Sequence, residues 1–122
     1  MTELTLPFPP TVNTYWRSAR AGKGGITVYI SDKGKAFRRD VHVLVLQARA
    51  NKKLSGRLTV EVELYPTDKR ARDIDNCLKS LLDALAHAGV YLDDKQMDRL
   101  MVTRKEQVKG GMCRVTIGEL AV

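Results

Sequence analysis

The sequence predicts a small α/β domain: a mixed sheet of about five strands with two helices, in the order β-β-α-β-α-β-β. Three observations predict it. Arg57 to Tyr65 alternates, with Leu58, Val60, Val62 and Leu64 on one side and Thr59, Glu61, Glu63 and Tyr65 on the other, as a strand with one buried face does. Two other segments repeat their apolar residues at helical spacing. The chain has 122 residues and is 43% hydrophobic, enough for one domain with a real core, so residues 1–122 are expected to form a single domain.

Taken in order, Thr2 to Leu6 alternates weakly and stops at Pro7, Pro9 and Pro10. TVNTYWRSARAGKGG then reads as an irregular loop. Ile26 to Ile30 (ITVYI) reads as a strand by its β-branched and aromatic content. Ser31 is placed to cap a helix that carries Phe37, Val41, Leu44, Val45 and Ala48 on one face, with Gly34 an awkward residue near its start. After the alternating strand, Pro66 and a charged loop lead to a helix from Asn76 to Ala88. Leu78, Leu81, Leu82 and Leu85 are its stripe, and Gly89 is its C-terminal cap. Leu100–Val102 reads as a strand. Lys109–Gly111 is a turn signal, after which Met112 to Ile117 is expected to pair back as the last strand.

Composition narrows the function. Net charge is +7, unevenly spread: residues 1–60 hold 11 Lys/Arg against 3 acids, and residues 61–122 hold 10 against 11. A basic half suits a polyanion or simple solubility, and the acids need a separate reason. Cys77 and Cys113 stand in no CxxC or Cys/His cluster, which argues against zinc and for buried, reduced thiols. No stretch is long and apolar enough to span a membrane, and the N-terminus lacks the pattern of a secretion signal, so the cytoplasm is the expected location.

The acids concentrate around one helix. Asp73 and Asp75 lie two residues apart at its start, between Arg70, Arg72 and Lys79, and Asp93–Asp94 follows beyond its end. If the chain enters the helix extended, Asp73 and Asp75 point to the same side. Asp75 at or near the N-cap would accept backbone N–H bonds, which explains it alone. A 13-residue helix spans roughly 20 Å, and a chain that returns that far brings Asp94 beside the helix start. Three such carboxylates need a cation, and an all-oxygen set suits Mg²⁺, with Mn²⁺ a possible substitute. An ion so held works on phosphodiesters. Lys79, one turn after Asp75, is either an intrahelical ion pair or a cation facing the scissile phosphate. Arg70 and Arg72 can grip flanking phosphates.

KRARDIDNCLKSLLDALAHAGVYLDDKQ, from Lys69, resembles the RusA family of Holliday junction resolvases, found in bacteria and commonly in phages and prophages. The family pattern R-D-x-D-N-x-x-K, then D-A-L, a glycine and D-D-x-Q, is matched at every element. LPFPPTVNTYWR resembles the family's L-P-x-P-P-x-x-N-x-x-[YW]-R, and SDKGKAFRRDV its S-x-x-G-x-x-[YF]-R. The resemblance implies a RusA-like fold and a homodimeric, Mg²⁺-dependent endonuclease that nicks four-way DNA junctions symmetrically, in recombination and repair. It implies Asp73, Asp75 and Asp94 as metal ligands and Lys79 as the catalytic lysine. It also implies Asn76 as a site-shaping residue, and Asn13, Tyr15, Trp16, Arg17 and Arg38 as DNA contacts beside Arg70 and Arg72.

Tyr15 and Trp16 either stack on bases at the crossover or plug the PFPP turn. The GKGG loop reads as a surface loop. His42 and His87 carry no catalytic assignment, and His87 suits a favourable contact with the helix C-terminus. The alternatives are a broader nuclease for forks or flaps, and a branched-DNA-binding protein that does not cleave.

Overall fold

The structure is a computed structural model that describes residues 1–69 and 73–120, with Lys23 described by its backbone only. Arg70 and Arg72 therefore lie outside the described residues. The order is β1 (Thr2–Leu6), α1 (Val12–Tyr15), β2 (Trp16–Arg20), β3 (Ile26–Ile30), α2 (Asp32–Gln47), β4 (Leu58–Tyr65), α3 (Leu78–His87), β5 (Met97–Arg104) and β6 (Met112–Glu119). Short 3₁₀ turns at Gly22–Gly24 and Asp94–Gln96 complete it. This is the expected mixed α/β architecture, with every anticipated strand and both long helices present.

Four strands form one sheet in the order β1-β6-β4-β5, and β2 and β3 form a separate antiparallel pair. The alternation of β4 does what it promised: Leu58, Val60, Val62 and Leu64 are each at most 2% exposed. With Leu4, Leu6, Val115 and Ile117 they meet Val41 and Val45 of α2 and Leu81, Ala84 and Leu85 of α3 in one core.

Three expectations need correction. β6 does not pair back on β5. It lies between β1 and β4, because β5 runs parallel to β4 and the connection crosses the end of that strand, tied by Lys105 N–H to Leu64 O (2.8 Å) and Val108 N–H to Pro66 O (2.9 Å). The segment after PFPP is not an irregular loop. It holds α1 and β2, organised by the burial of Tyr15, which is 0% exposed. The second long helix is Leu78–His87, shorter than Asn76–Ala88, because residues 74–77 coil into turns first.

Candidate active site

The run from Asp73 to Lys79 is built in two steps. Asn76 N–H bonds Asp73 O (3.3 Å) and Leu78 N–H bonds Asp75 O (3.2 Å), so residues 74–77 turn and do not enter the helix extended. Cys77, not Asp75, is the N-cap of α3, and the Cys77 side chain makes no capping hydrogen bond. The N-terminal segment straps this turn down. Val12 N–H donates to Asn76 O (2.9 Å), and the Ser80 hydroxyl donates to Pro10 O (2.5 Å). Asp73, Asp75, Asn76 and Lys79 are all left facing solvent. Asp73 and Asn76 also border a cavity of about 840 Å³ whose other walls include Phe8, Pro10 and Ile74. Burial pushes the Cys77 thiol up to about 11, so it stays protonated beside these carboxylates.

Asp94 is carried by a second, separately built turn. Asp93 caps it by accepting from Lys95 N–H (2.9 Å), while Gln96 Oε1 reaches back to accept from Leu92 N–H (2.9 Å) and Asp93 N–H (2.8 Å). Gln96 Nε2 donates to Leu54 O (2.7 Å) and Gly56 O (2.8 Å). Gln96 is 9% exposed, and its amide oxygen and nitrogen are each used twice. Nearby, the buried Tyr91 hydroxyl donates to Leu82 O (2.5 Å) and returns the chain to α3.

The result brings Asp94 beside α3. Partial burial holds the Asp94 carboxyl above the usual carboxylate range. A hydrogen bond with Asp93 and the charges of Asp93 and Asp83 add to this, and the nearby charge of Lys79 opposes it. Asp93 moves the other way, lowered by the Lys95 N–H and by Asp94. Lys79 and Asp94, 15 positions apart, thus share one electrostatic site. Among the described residues, no three His, Cys, Asp or Glu side chains gather closely enough to enclose a metal ion.

Behind Lys79 is a network that the sequence reading did not assign. The Lys79 ammonium stands 5.9 Å from the centre of the Trp16 ring, and Trp16 meets Tyr15 edge-on at 4.4 Å. The Tyr15 hydroxyl donates to Asp83 (2.5 Å), and Arg38 donates to both Tyr15 (2.7 Å) and Asp83 (2.7 Å). Burial, then the Asp83 bond, raises the Tyr15 phenol well above its ordinary value, so it remains a donor.

Tyr15 is therefore not a base-stacking residue, because its ring has no exposed surface, and it plugs a socket on α2 and α3 and not the PFPP turn. Arg38, expected at DNA, is engaged with Asp83. Trp16 is partly exposed, and Asn13 and Arg17 are exposed. Asp83 lies inside the D-A-L element, a signal that was visible but carried no role.

Partial burial, then the charge of Arg38, lowers the His87 pKa from its ordinary value, which weakens it as a cationic partner for the helix end.

The chain is similar to known proteins over nearly its whole length. The family model described as endodeoxyribonuclease RusA matches residues 7–118. A crossover junction endodeoxyribonuclease of Enterobacteria phage HK97 is 42% identical over 118 residues, covering 97% of this chain and 94% of that one. The similarly named proteins of Shigella sonnei (strain Ss046) and Enterobacteria phage 82 are 35% and 34% identical, each covering 96% of this chain and 93% of its own. Among solved structures, the OmpA-like domain of FopA1 from Francisella tularensis aligns with a TM-score of 0.32 at 10% identity, over 95% of this chain and 91% of that one, too loosely to bear on the fold. With the family model spanning nearly its whole length and relatives well above 30% identity, the chain belongs to the RusA family of endodeoxyribonucleases.

Proposed function

We propose that this chain is a junction-resolving endonuclease. It cuts four-way DNA junctions by paired, symmetric nicks; its relatives are named crossover junction endodeoxyribonucleases. The observation that carries the reading is the nearness of Lys79, at the start of α3, to Asp94, on a separately anchored 3₁₀ turn. Residues 1–122 act as one nuclease domain, two copies work together, one per cut strand, and the cytoplasm is the expected site of action.

Asp73, Asp75 and Asp94 are the proposed ligands of a divalent ion, Mg²⁺ with Mn²⁺ as a substitute. The donor chemistry fits, because the acids supply oxygen and the one thiol nearby is held protonated, but the three carboxylates do not gather closely enough in this structure to enclose an ion and would have to draw together around it. A bound ion would polarise the phosphoryl oxygen and supply activated water. Lys79 neutralises charge developing on the leaving oxygen, and the Trp16 ring limits where its ammonium can go. Arg70, Arg72, Asn76, Asn13 and Arg17 are the proposed DNA contacts, with Trp16 at their edge. Tyr15 and Arg38 serve behind them.

The test is cleavage of a labelled four-way junction, a fork and a linear duplex, each with Mg²⁺ and with EDTA. Paired nicks near the crossover, confined to the junction and to Mg²⁺, are expected. Equal cutting of fork and junction would point to a broader structure-selective nuclease. Tight junction binding without cuts would point to a binding protein.

A further inference from the structure

The β2–β3 hairpin is a sheet of its own, held at its base and bare beyond it. At the base, Ser31 N–H bonds Tyr15 O (2.9 Å), and Trp16 and Ile30 are half-buried against the core. At the tip, Ala21 N–H closes the turn on Gly25 O (2.8 Å). Between base and tip, Arg17 to Arg20 and Ile26 to Tyr29 are all exposed. Ile26 is 77% exposed, Val28 65% and Tyr29 48%. A lone hairpin is marginal in water, and apolar residues gathered on one mark a contact surface.

The register pairs Trp16 with Ile30, Ser18 with Val28 and Arg20 with Ile26, and alternate pairs share one face. The Lys79 ammonium stands 5.9 Å from the Trp16 ring. This face therefore begins at the proposed catalytic lysine and runs outward to Ile26 and Arg20, roughly 13 Å along the strand. Residues 16–30 carry Arg17, Arg20 and Lys23 and no Asp or Glu, a balance of +3.

We propose that this hairpin is an arm that enters the branch point of a four-way junction. Val28 and Ile26 wedge against bases at the crossover, and Arg20, on the same face, holds a flanking phosphate. The proposal rests on the junction-cutting reading and adds what tells branched DNA from duplex. An acid-free basic ribbon suits a phosphate backbone, whereas a second copy's hairpin laid on it would set +3 against +3. Apolar wedges enter between base steps at the cost of unstacking them, and that cost is least where stacking is already broken. At a branch point the arm finds such a step beside the lysine. In a continuous duplex the same entry has to break an intact one.

The test uses the full chain without Mg²⁺ and a four-way junction carrying 2-aminopurine at the crossover, whose fluorescence rises when the base unstacks. A linear duplex of the same sequence is the competitor. The wild type is expected to prefer the junction and to raise the fluorescence. Ile26→Ser/Val28→Ser changes two exposed positions, and thermal melts confirm that it folds. It is expected to lose the fluorescence rise and about tenfold or more in junction affinity, with duplex affinity unchanged. Arg20→Gln is expected to lower the salt slope of junction binding by about one. A folded double variant that keeps the fluorescence rise and the preference would overturn the arm while leaving junction cutting intact. Equal losses on junction and duplex would overturn its selectivity. An unchanged salt slope would overturn the phosphate contact. A double variant with half the wild-type mass in light scattering would assign the face to a second copy instead. A wild type with no preference for the junction would overturn the arm and the junction-cutting reading together.

Discussion

The Tyr15 hydroxyl donates to the Asp83 carboxylate across 2.5 Å, with Arg38 bonded to both. The contact ties the N-terminal segment to the middle of α3 and to α2. Tyr15→Phe keeps the ring packing and removes the donor. A hydrogen bond to a charged group contributes about 1.5–3 kcal/mol, and Arg38 still partners Asp83 in the variant. Urea unfolding is therefore expected to show a loss at the low end, about 1.5 kcal/mol. An unchanged midpoint would contradict the role.

Gln96 is the pin of the Asp94 turn. Gln96→Ala leaves two N–H groups and two carbonyls without their partner, each costing about 1–3 kcal/mol where water cannot replace it. Chemical denaturation is expected to register a loss of about 3 kcal/mol or more. Junction cleavage should fall as well, since Asp94 loses its support. A variant as stable as the wild type would show that solvent already reaches these groups.

Trp16 is the single tryptophan, so its emission reports on the site. The Lys79 ammonium shields one face of the ring. In Lys79→Ala, acrylamide quenching is expected to rise about twofold, while Lys79→Arg keeps the shielding, because a guanidinium also stacks on indole. Equal quenching in all three proteins would separate Trp16 from Lys79.

His87 makes stability depend on pH. Its folded pKa lies below the ordinary 6.5, because burial and then Arg38 disfavour the cation; His42 adds to this and Asp83 opposes it. The unfolded chain then binds the proton more readily. Stability is full above about pH 6.5, falls as pH drops through that value, and levels off below the folded pKa. Melting temperatures at pH 7.5 and pH 5.5 should fall further apart in the wild type than in His87→Gln. Equal drops would assign the pH dependence elsewhere.

Much of this was legible in the residues, because the signals were local. The alternation of β4 and the stripes of the two long helices follow from a single buried face each. The pieces that were missed depend on distant partners. Ser31, Gly34, Phe37 and Arg38 look like an ordinary helix start with one awkward glycine. Together they are a socket for Tyr15. Ser31 Oγ donates to Thr14 O (2.5 Å) and accepts from Gly34 N–H (2.9 Å), Phe37 packs on the Tyr15 ring, and a Cβ at Gly34 would lie 2.5 Å from Tyr15 O.

Nothing in TVNTYWRSAR announces that Tyr15 is the buried residue, since α1 and β2 are too short to show a period. Asp83 reads as a solvent-facing helix position until Tyr15 and Arg38 arrive from elsewhere in the chain. The strand order is likewise invisible locally, because the turn signal at Lys109–Gly111 does not say which neighbour the next strand will join.

The central claim is that the acids around α3 cut DNA and do not merely shape a helix. Asp75 bears on it most directly, because it is exposed and lies outside the helix it was expected to cap. The measurement is binding and Mg²⁺-dependent cleavage of one labelled four-way junction by wild type and Asp75→Asn, side by side. Unchanged or tighter binding with cleavage down at least a hundredfold is the predicted result. Cleavage at the wild-type rate would contradict the account.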